Sequence, residues 1–195
     1  MDGSEGHVAL AASRRLFISG ASHTGKSTFA QAVAAEAPAA LISTDTLARH
    51  PGRPWPVPRP HVADFYANLA ADTHATLLQH HYATLQGLIK EALAACDTSA
   101  VIIEGSALRP LVAGDGLFFC LHASDDFVKM RIYQNSGYHT ADPDHRHLID
   151  AFLARSLADQ TALLAEAEKA QATLIDASNE TALAAAQQLA IAYLR

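Results

Sequence analysis

Residues Gly20-Ala21-Ser22-His23-Thr24-Gly25-Lys26-Ser27 fill every fixed position of the pattern G-x-x-x-x-G-K-[ST], by which a backbone holds a terminal phosphate. Such a loop curls its N–H groups around the anion, so glycine is needed where φ is positive or where the chain approaches the phosphate closely. A helix opening at about Lys26 adds N–H groups with no partner inside the helix, and the positive end of its dipole. Lys26 is then placed to reach the β- and γ-phosphates and the Ser27 hydroxyl to ligate Mg²⁺, with Thr28 closing the nucleotide-binding run. Phosphoryl transfer also needs a base to orient the attacking hydroxyl and positive charge over the moving group. Asp45, between Thr44 and Thr46, is the expected base. Glu104, at the end of an apolar run, is expected to hold a Mg²⁺-bound water or a substrate hydroxyl. Arg131, Arg146 and Arg155 flank the polar stretch from Asn135 to His147, and Arg146 and Arg155 are expected to act on the transferring charge. Each group has a structural alternative: Asp45 as a cap, Glu104 tied to nearby backbone, the arginines in surface ion pairs.

Apolar periodicity outlines the elements that must position these groups. Leu16 to Ser19 reads as a strand, followed by the loop and a helix from Lys26 to about Ala37, which Pro38 ends. Leu41-Ile42-Ser43 reads as a short strand that delivers Asp45 to its carboxyl end. Val62 to Ala95 is helical in pattern, with Gly87 as a candidate break. Ala100 to Glu104 and Leu117 to Leu121 are buried strands. A helix begins at Ser124 and runs out near Gly137, another is expected from about Leu148 to Gln171, a strand over Thr173 to Asp176, and a closing helix from Asn179 to Tyr193. Short apolar strands alternating with helices imply a parallel sheet covered on both faces, whose ligands bind at the carboxyl ends of the strands. Between His50 and His61 lie five of the chain's eight prolines, with Arg53 and Trp55 among them. That density excludes helix and central strand and makes either a binding loop or a stiff connector whose Trp caps the core. His74, His80 and His81 sit in no metal-ligand motif, and His145 and His147 read as solvated.

Two segments carry a resemblance. Thr44-Asp45 followed by Arg49-His50-Pro51, and Ile103-Glu104-Gly105-Ser106-Ala107-Leu108-Arg109-Pro110, resemble the small-molecule kinase branch of P-loop proteins, which includes zeta toxins, chloramphenicol phosphotransferase and 2-phosphoglycerate kinase-like proteins. Zeta toxins similarly carry an Asp followed by Arg and His-Pro after strand two, and E-G-T-x-R after strand three; here Arg109 falls further along. The resemblance implies Asp45 as catalytic base, Arg49 and Arg109 as substrate or phosphate contacts, and Glu104 as a substrate- or metal-shell acid; Arg53 joins the substrate-binding set from the proline-rich loop. The fold expected is α/β, a three-layer P-loop NTPase fold with a five-stranded parallel sheet in the order 2-3-1-4-5, helices on both faces and a helical lid. Residues 1–14 are expected as a flexible arm and 15–195 as one domain, with the lid at about 131–155 and a substrate loop at about 50–61.

The 195 residues suit one domain, half of them hydrophobic and 17% charged, with a net charge of −6. No run of Lys and Arg forms, which argues against nucleic acid or an anionic membrane as partner. Cys96 and Cys120 are far apart in sequence, as expected of reduced thiols in the cytoplasm. Met1 to His7 lacks the form of a secretory signal, and no apolar run reaches the ~18 residues of a membrane span. The reaction expected is transfer of the γ-phosphoryl group of ATP, with Mg²⁺, to a hydroxyl of a small metabolite. The alternatives are a zeta-toxin-like kinase of a nucleotide sugar and a regulatory ATPase that phosphorylates no metabolite. A guanine-reading N-K-x-D segment is absent from the sequence, and the oligomeric state, monomer or homodimer, is left open.

Overall fold

A computed structural model describes residues 14–48, 52–110 and 116–195. Five strands, β1 (Arg14–Gly20), β2 (Ala40–Ser43), β3 (Ala100–Glu104), β4 (Leu117–His122) and β5 (Thr173–Asp176), form one sheet in the order β2-β3-β1-β4-β5. Every neighbouring pair is parallel. The order sets the site. β1 lies in the centre, and the register pairs Ile18 with Glu104 and Glu104 with Ser43. The phosphate loop, Glu104 and the residues after Ser43 therefore leave the sheet at one edge. β1 begins at Arg14, which pairs with Ala100, inside the stretch expected as an arm.

Alternate residues of the central strands feed two cores, as the period of two requires. Leu16, Ile18, Ile102, Phe119 and Leu121 pack against α1 (Lys26–Glu36) and α7 (Glu180–Leu194). Phe17, Val101, Ile103, Phe118 and Cys120 pack on the other face against α4 (Ala71–Ala94) and α6 (Pro143–Lys169). The central strands β1, β3 and β4 are buried on both faces, hence their apolar runs, while the edge strands β2 and β5 are partly exposed. A third core, with Val62, Tyr66, Val128, Ile132, Ile149 and Phe152, joins α3 (Pro60–Asn68), α5 (Asp125–Ser136) and the start of α6. The short α2 (Thr44–Leu47) follows β2 directly.

Three boundaries differ from the sequence reading. The helical stretch after the proline-rich loop is two helices that part at Leu69 and Ala70, whose backbones are extended, while Gly87 lies inside α4. The cause comes from another element: Arg155 of α6 donates to the carbonyls of Phe65 at 3.0 Å and Leu69 at 2.8 Å, satisfying acceptors that the end of α3 leaves open. Gly87 costs α4 only about 1 kcal/mol relative to Ala, and the packed face carries it. α6 starts at Pro143, five residues before the expected Leu148, because Asp142 caps it, accepting from the His145 N–H at 2.9 Å, and Pro143 suits the first turn. It ends at Lys169, with Gln171 in the left-handed region at φ 53°.

Gly105 shows how tightly β2 and β3 are joined at this edge. A Cβ there would stand 1.7 Å from Thr44 Oγ1, with φ at +158°. Gly105→Ala must push the buried Thr44 outward, and the expected cost is about 1–3 kcal/mol. A fall in the urea midpoint with an unchanged m-value would show it; an unchanged midpoint would mean that the two strands are not so closely joined.

Candidate active site

The phosphate loop leaves β1 at Gly20 and enters α1 at Lys26. Gly25, at φ 87°, is the N-cap, and no side chain caps the helix. The first amides of α1 thus have no side-chain acceptor, as an anion site requires. The carbonyl of Ala21 accepts from Thr24 Oγ1 at 2.9 Å and from Lys26 Nζ at 2.8 Å, so the ammonium rests on the loop it would share with a phosphate. Burial lowers the Lys26 pKa, and the nearby carboxylates of Glu104, Asp45 and Asp159 work in the opposite direction. Ser27 Oγ donates to Glu104 Oε2 at 3.1 Å. Glu104, only 5% exposed, and the Ser27 hydroxyl form a pair of hard oxygen donors, which fits Mg²⁺ completed by waters and phosphate oxygens.

Ser22, His23, Gly25, Lys26, Ser27 and Thr28 line one cavity of about 520 Å³ with Asp45, Arg53, Glu104 and Arg155, within the usual range for a small-molecule site. Asp45 stands in the first turn of α2, exposed to this space. Arg146 and Arg109 do not line it. Arg146 donates to the carbonyls of Tyr138 and His139, both at 3.0 Å, and lies over the Tyr138 ring. Arg155 reaches the cavity while holding the end of α3, and its guanidinium lies 4.8 Å from the Phe65 ring and 5.0 Å from that of Tyr66. Arg131 comes from α5 against the loop, 3.7 Å from where a Gly25 Cβ would stand. Arg49, with His50 and Pro51, lies outside the described residues.

Arg109 is buried under the site. It donates to Tyr82 Oη at 2.5 Å and to the Asp159 carboxylate, which also accepts from Tyr82 Oη at 2.8 Å. Burial opposes its charge, but Asp159, Tyr82 and Glu166 outweigh that and raise its pKa. Asp159 and Tyr82 were missed in the sequence, although Arg155, Ser156 and Asp159 share one face of α6, a polar stripe that could have marked Asp159; nothing comparable marks Tyr82 on α4. Truncating Asp159 would remove the nearest carboxylate from a guanidinium that is 5% exposed, leaving Tyr82 and Glu166, the latter 3.9 Å from Nε. Asp159→Ala is expected to cost about 3–5 kcal/mol by denaturant unfolding; a loss below about 1 kcal/mol would show the pair to be solvated.

The proline-rich segment both docks and lines. His23, at φ 66°, accepts or donates at Nδ1 with Ser22 Oγ over 2.9 Å, and its ring packs 5.7 Å from Trp55 and 6.1 Å from Phe152. Burial, then Arg53, Lys26 and Arg131, push its pKa down to about 4, so it is neutral at pH 7. Tyr66 Oη donates to the Gly52 carbonyl at 3.0 Å, and His145 Nε2 meets that of Pro54 at 2.5 Å. Trp55 thus ties the segment to the phosphate loop, and Gly52 and Arg53 face the cavity. His74 and His81 also line it, and among the described residues no group of three or more His, Cys, Asp or Glu could hold a metal ion. No described helix is long and apolar enough to cross a membrane.

No family model and no curated protein matches the chain. Solved structures do match over nearly its whole length. A gluconokinase from Sinorhizobium meliloti 1021 is 19% identical, with 95% of this chain and 92% of that one covered, at a TM-score of 0.50. A sugar kinase from Janibacter sp. HTCC2649 is 20% identical, with 93% and 96% covered, at 0.51. The chain shares the fold of these kinases. TT1252 from Thermus thermophilus, 16% identical with 94% and 99% covered, superposes at 0.55. At such identities the likeness is one of fold, and function must be argued from the site.

Proposed function

We propose that this protein is a kinase that transfers the γ-phosphoryl group of ATP to a hydroxyl of a small metabolite. The observation that carries the proposal is the common cavity: the Lys26 and Ser27 cradle, the Glu104 carboxylate and Asp45 all border it. Kinases with the same fold, one a gluconokinase and one a sugar kinase by name, support the reaction class.

The loop amides and Lys26 would hold the β- and γ-phosphates, and Ser27 with Glu104 would hold Mg²⁺ through oxygen. The bound metal supplies charge neutralisation at the phosphate oxygens. Asp45 orients the acceptor hydroxyl and takes its proton as the oxygen bonds to the γ-phosphorus and the bond to the β-phosphate oxygen breaks. Lys26 and Arg53 stabilise the departing charge. Arg155 faces the acceptor side, and Arg146 joins only if the corner between α5 and α6 swings inward. The resemblance of the Asp45 and Glu104-Gly105 segments supports a kinase of the branch of zeta toxins, chloramphenicol phosphotransferase and 2-phosphoglycerate kinase-like proteins, and we assign it to the cytoplasm, where ATP is available.

Labelled γ-phosphate appearing on an alcohol in the presence of ATP and Mg²⁺, and lost when the metal is chelated, tests the proposal. Release of inorganic phosphate with no phosphorylated alcohol from any acceptor would favour a regulatory ATPase instead.

A further inference from the structure

Asp159 uses one of its two carboxylate oxygens inside the protein. Tyr82 Oη donates to Oδ1 at 2.8 Å, and the Arg109 guanidinium donates to that same atom, while Oδ2 has no hydrogen-bond partner among the described residues. The side chain is 17% exposed and borders the cavity, and Oδ2 is not among the unpartnered atoms shut away from solvent. Ser156, three residues earlier on the same face of α6, borders the cavity too, and its hydroxyl likewise has no partner among the described residues. Neighbouring groups of this wall are already engaged. Tyr66 Oη donates to the Gly52 carbonyl, Arg155 donates from both terminal nitrogens to carbonyls of α3 and its C-cap, and His74 and His81 pack against the rings of Phe65 and Tyr82. Asp45 from α2 and Asp159 from α6 both act on the charge of Lys26, so the two carboxylates approach the phosphate cradle from different elements.

We infer that Asp159 is a specificity-determining residue, whose Oδ2, with the Ser156 hydroxyl beside it, accepts a hydrogen bond from a second donor on the acceptor, a hydroxyl or an amide N–H, while Asp45 takes the transferred hydroxyl. This deepens the kinase reading and rests on it for the reaction, but the selection of ligands stands independently of transfer. Arg109 then acts through Asp159: with Tyr82 it holds Oδ1 and so fixes which oxygen is left for the cavity, without touching substrate. That differs from the direct contact which the resemblance of the Glu104 segment implied for Arg109. Discrimination follows from desolvation. A molecule that covers Oδ2 and brings no donor leaves a carboxylate oxygen with neither water nor partner, and a site built to accept a hydrogen bond rejects an analogue lacking the donor far more strongly than an apolar wall rejects a change of shape.

The test compares matched probes by ligand-observed NMR titration, with a non-hydrolysable ATP analogue and Mg²⁺ present. The donor-bearing probes are the linear diols from 1,3-propanediol to 1,6-hexanediol, the 1,3- and 1,4-cyclohexanediols, and N-acetyl amino alcohols of the same lengths. Their counterparts are the monomethyl ethers of the diols, which keep one hydroxyl and turn the second into an acceptor only. Wild-type protein is expected to bind at least one donor-bearing probe about tenfold or more tightly than the matching ether. Asp159→Asn keeps an Oδ1 for Tyr82 and Arg109 and puts an amide donor in place of Oδ2, so the preference is expected to reverse in favour of the ether, which a loss of packing alone would not produce. Ser156→Ala leaves the Arg109 contacts in place and is expected to weaken the donor-bearing probe about three- to tenfold; it decides the matter should Asp159→Asn fail to fold. Ethers bound as tightly as diols by the wild type, no probe bound at all, or a preference that neither variant alters would overturn the inference. Phosphate transfer is read separately with ATP. Donor-bearing probes that are selected without being phosphorylated would count against the kinase reading and leave Asp159 as the selecting group, and diols and ethers phosphorylated alike would do the reverse.

Discussion

Lys26→Ala is expected to lower phosphoryl transfer by about 10³-fold, equivalent to about 4 kcal/mol of transition-state stabilisation, while the protein stays folded. The ammonium is held within the loop at 2.8 Å from the Ala21 carbonyl and is bordered by three carboxylates. Its removal takes away the positive charge nearest the γ-phosphate, where charge accumulates as the bond to the leaving oxygen lengthens. Folding should survive because opposing effects meet at this position: the truncation relieves a charge that burial disfavours but deprives Glu104 and Asp45 of a counter-ion. Circular dichroism and a thermal midpoint check the fold, and a labelled-phosphate assay checks the rate. A variant that is folded and keeps more than about a tenth of wild-type turnover would mean that the loop does not bind the reacting phosphate.

The second large effect is expected at Asp45. Asp45→Asn keeps the shape of the side chain and removes its ability to take a proton, so kcat is expected to fall by about 10²-fold or more, in keeping with general-base contributions. Nucleotide affinity should not change, because the phosphates are held by the other wall of the cavity. A fall in affinity matching the fall in kcat would place Asp45 among the nucleotide contacts. Full activity would move the base elsewhere along the cavity, with Asp159, among the described residues, the remaining carboxylate that lines it besides Glu104.

The parts of this site that could be read from the sequence are those whose chemistry is local. The phosphate loop is eight consecutive residues, and the strand that carries it has an apolar centre, Leu16-Phe17-Ile18, because both faces of the sheet are covered there. Even the strand order follows from the fold the loop announced, and the register then aligned Glu104 with Ser43. Other features depend on partners far away along the chain. Arg109 and Arg155 are legible as cations, yet what each touches is set by residues 50 to 90 positions distant, Asp159 for one and Phe65 and Leu69 for the other. The break between α3 and α4 has no glycine or proline to mark it, since an arginine from α6 makes it favourable. The start of α6 was available in Asp142-Pro143, a cap followed by a first-turn proline, but the histidines around it suggested a loop. Docking of the proline-rich segment onto His23 through Trp55 could not be foreseen, because a tilted contact between rings 32 residues apart leaves no periodic signal.

The account stands most directly on whether wild-type protein, given ATP, Mg²⁺ and a mixed library of alcohols, yields a phosphorylated alcohol that the Asp45→Asn protein does not. Mass spectrometry of the two reactions in parallel is expected to show one or a few alcohols gaining a single phosphoryl group with the wild type, and none above background with the variant. The same products at the same rate from both proteins would contradict the account, since the carboxylate facing the phosphate loop would then have no part in the transfer.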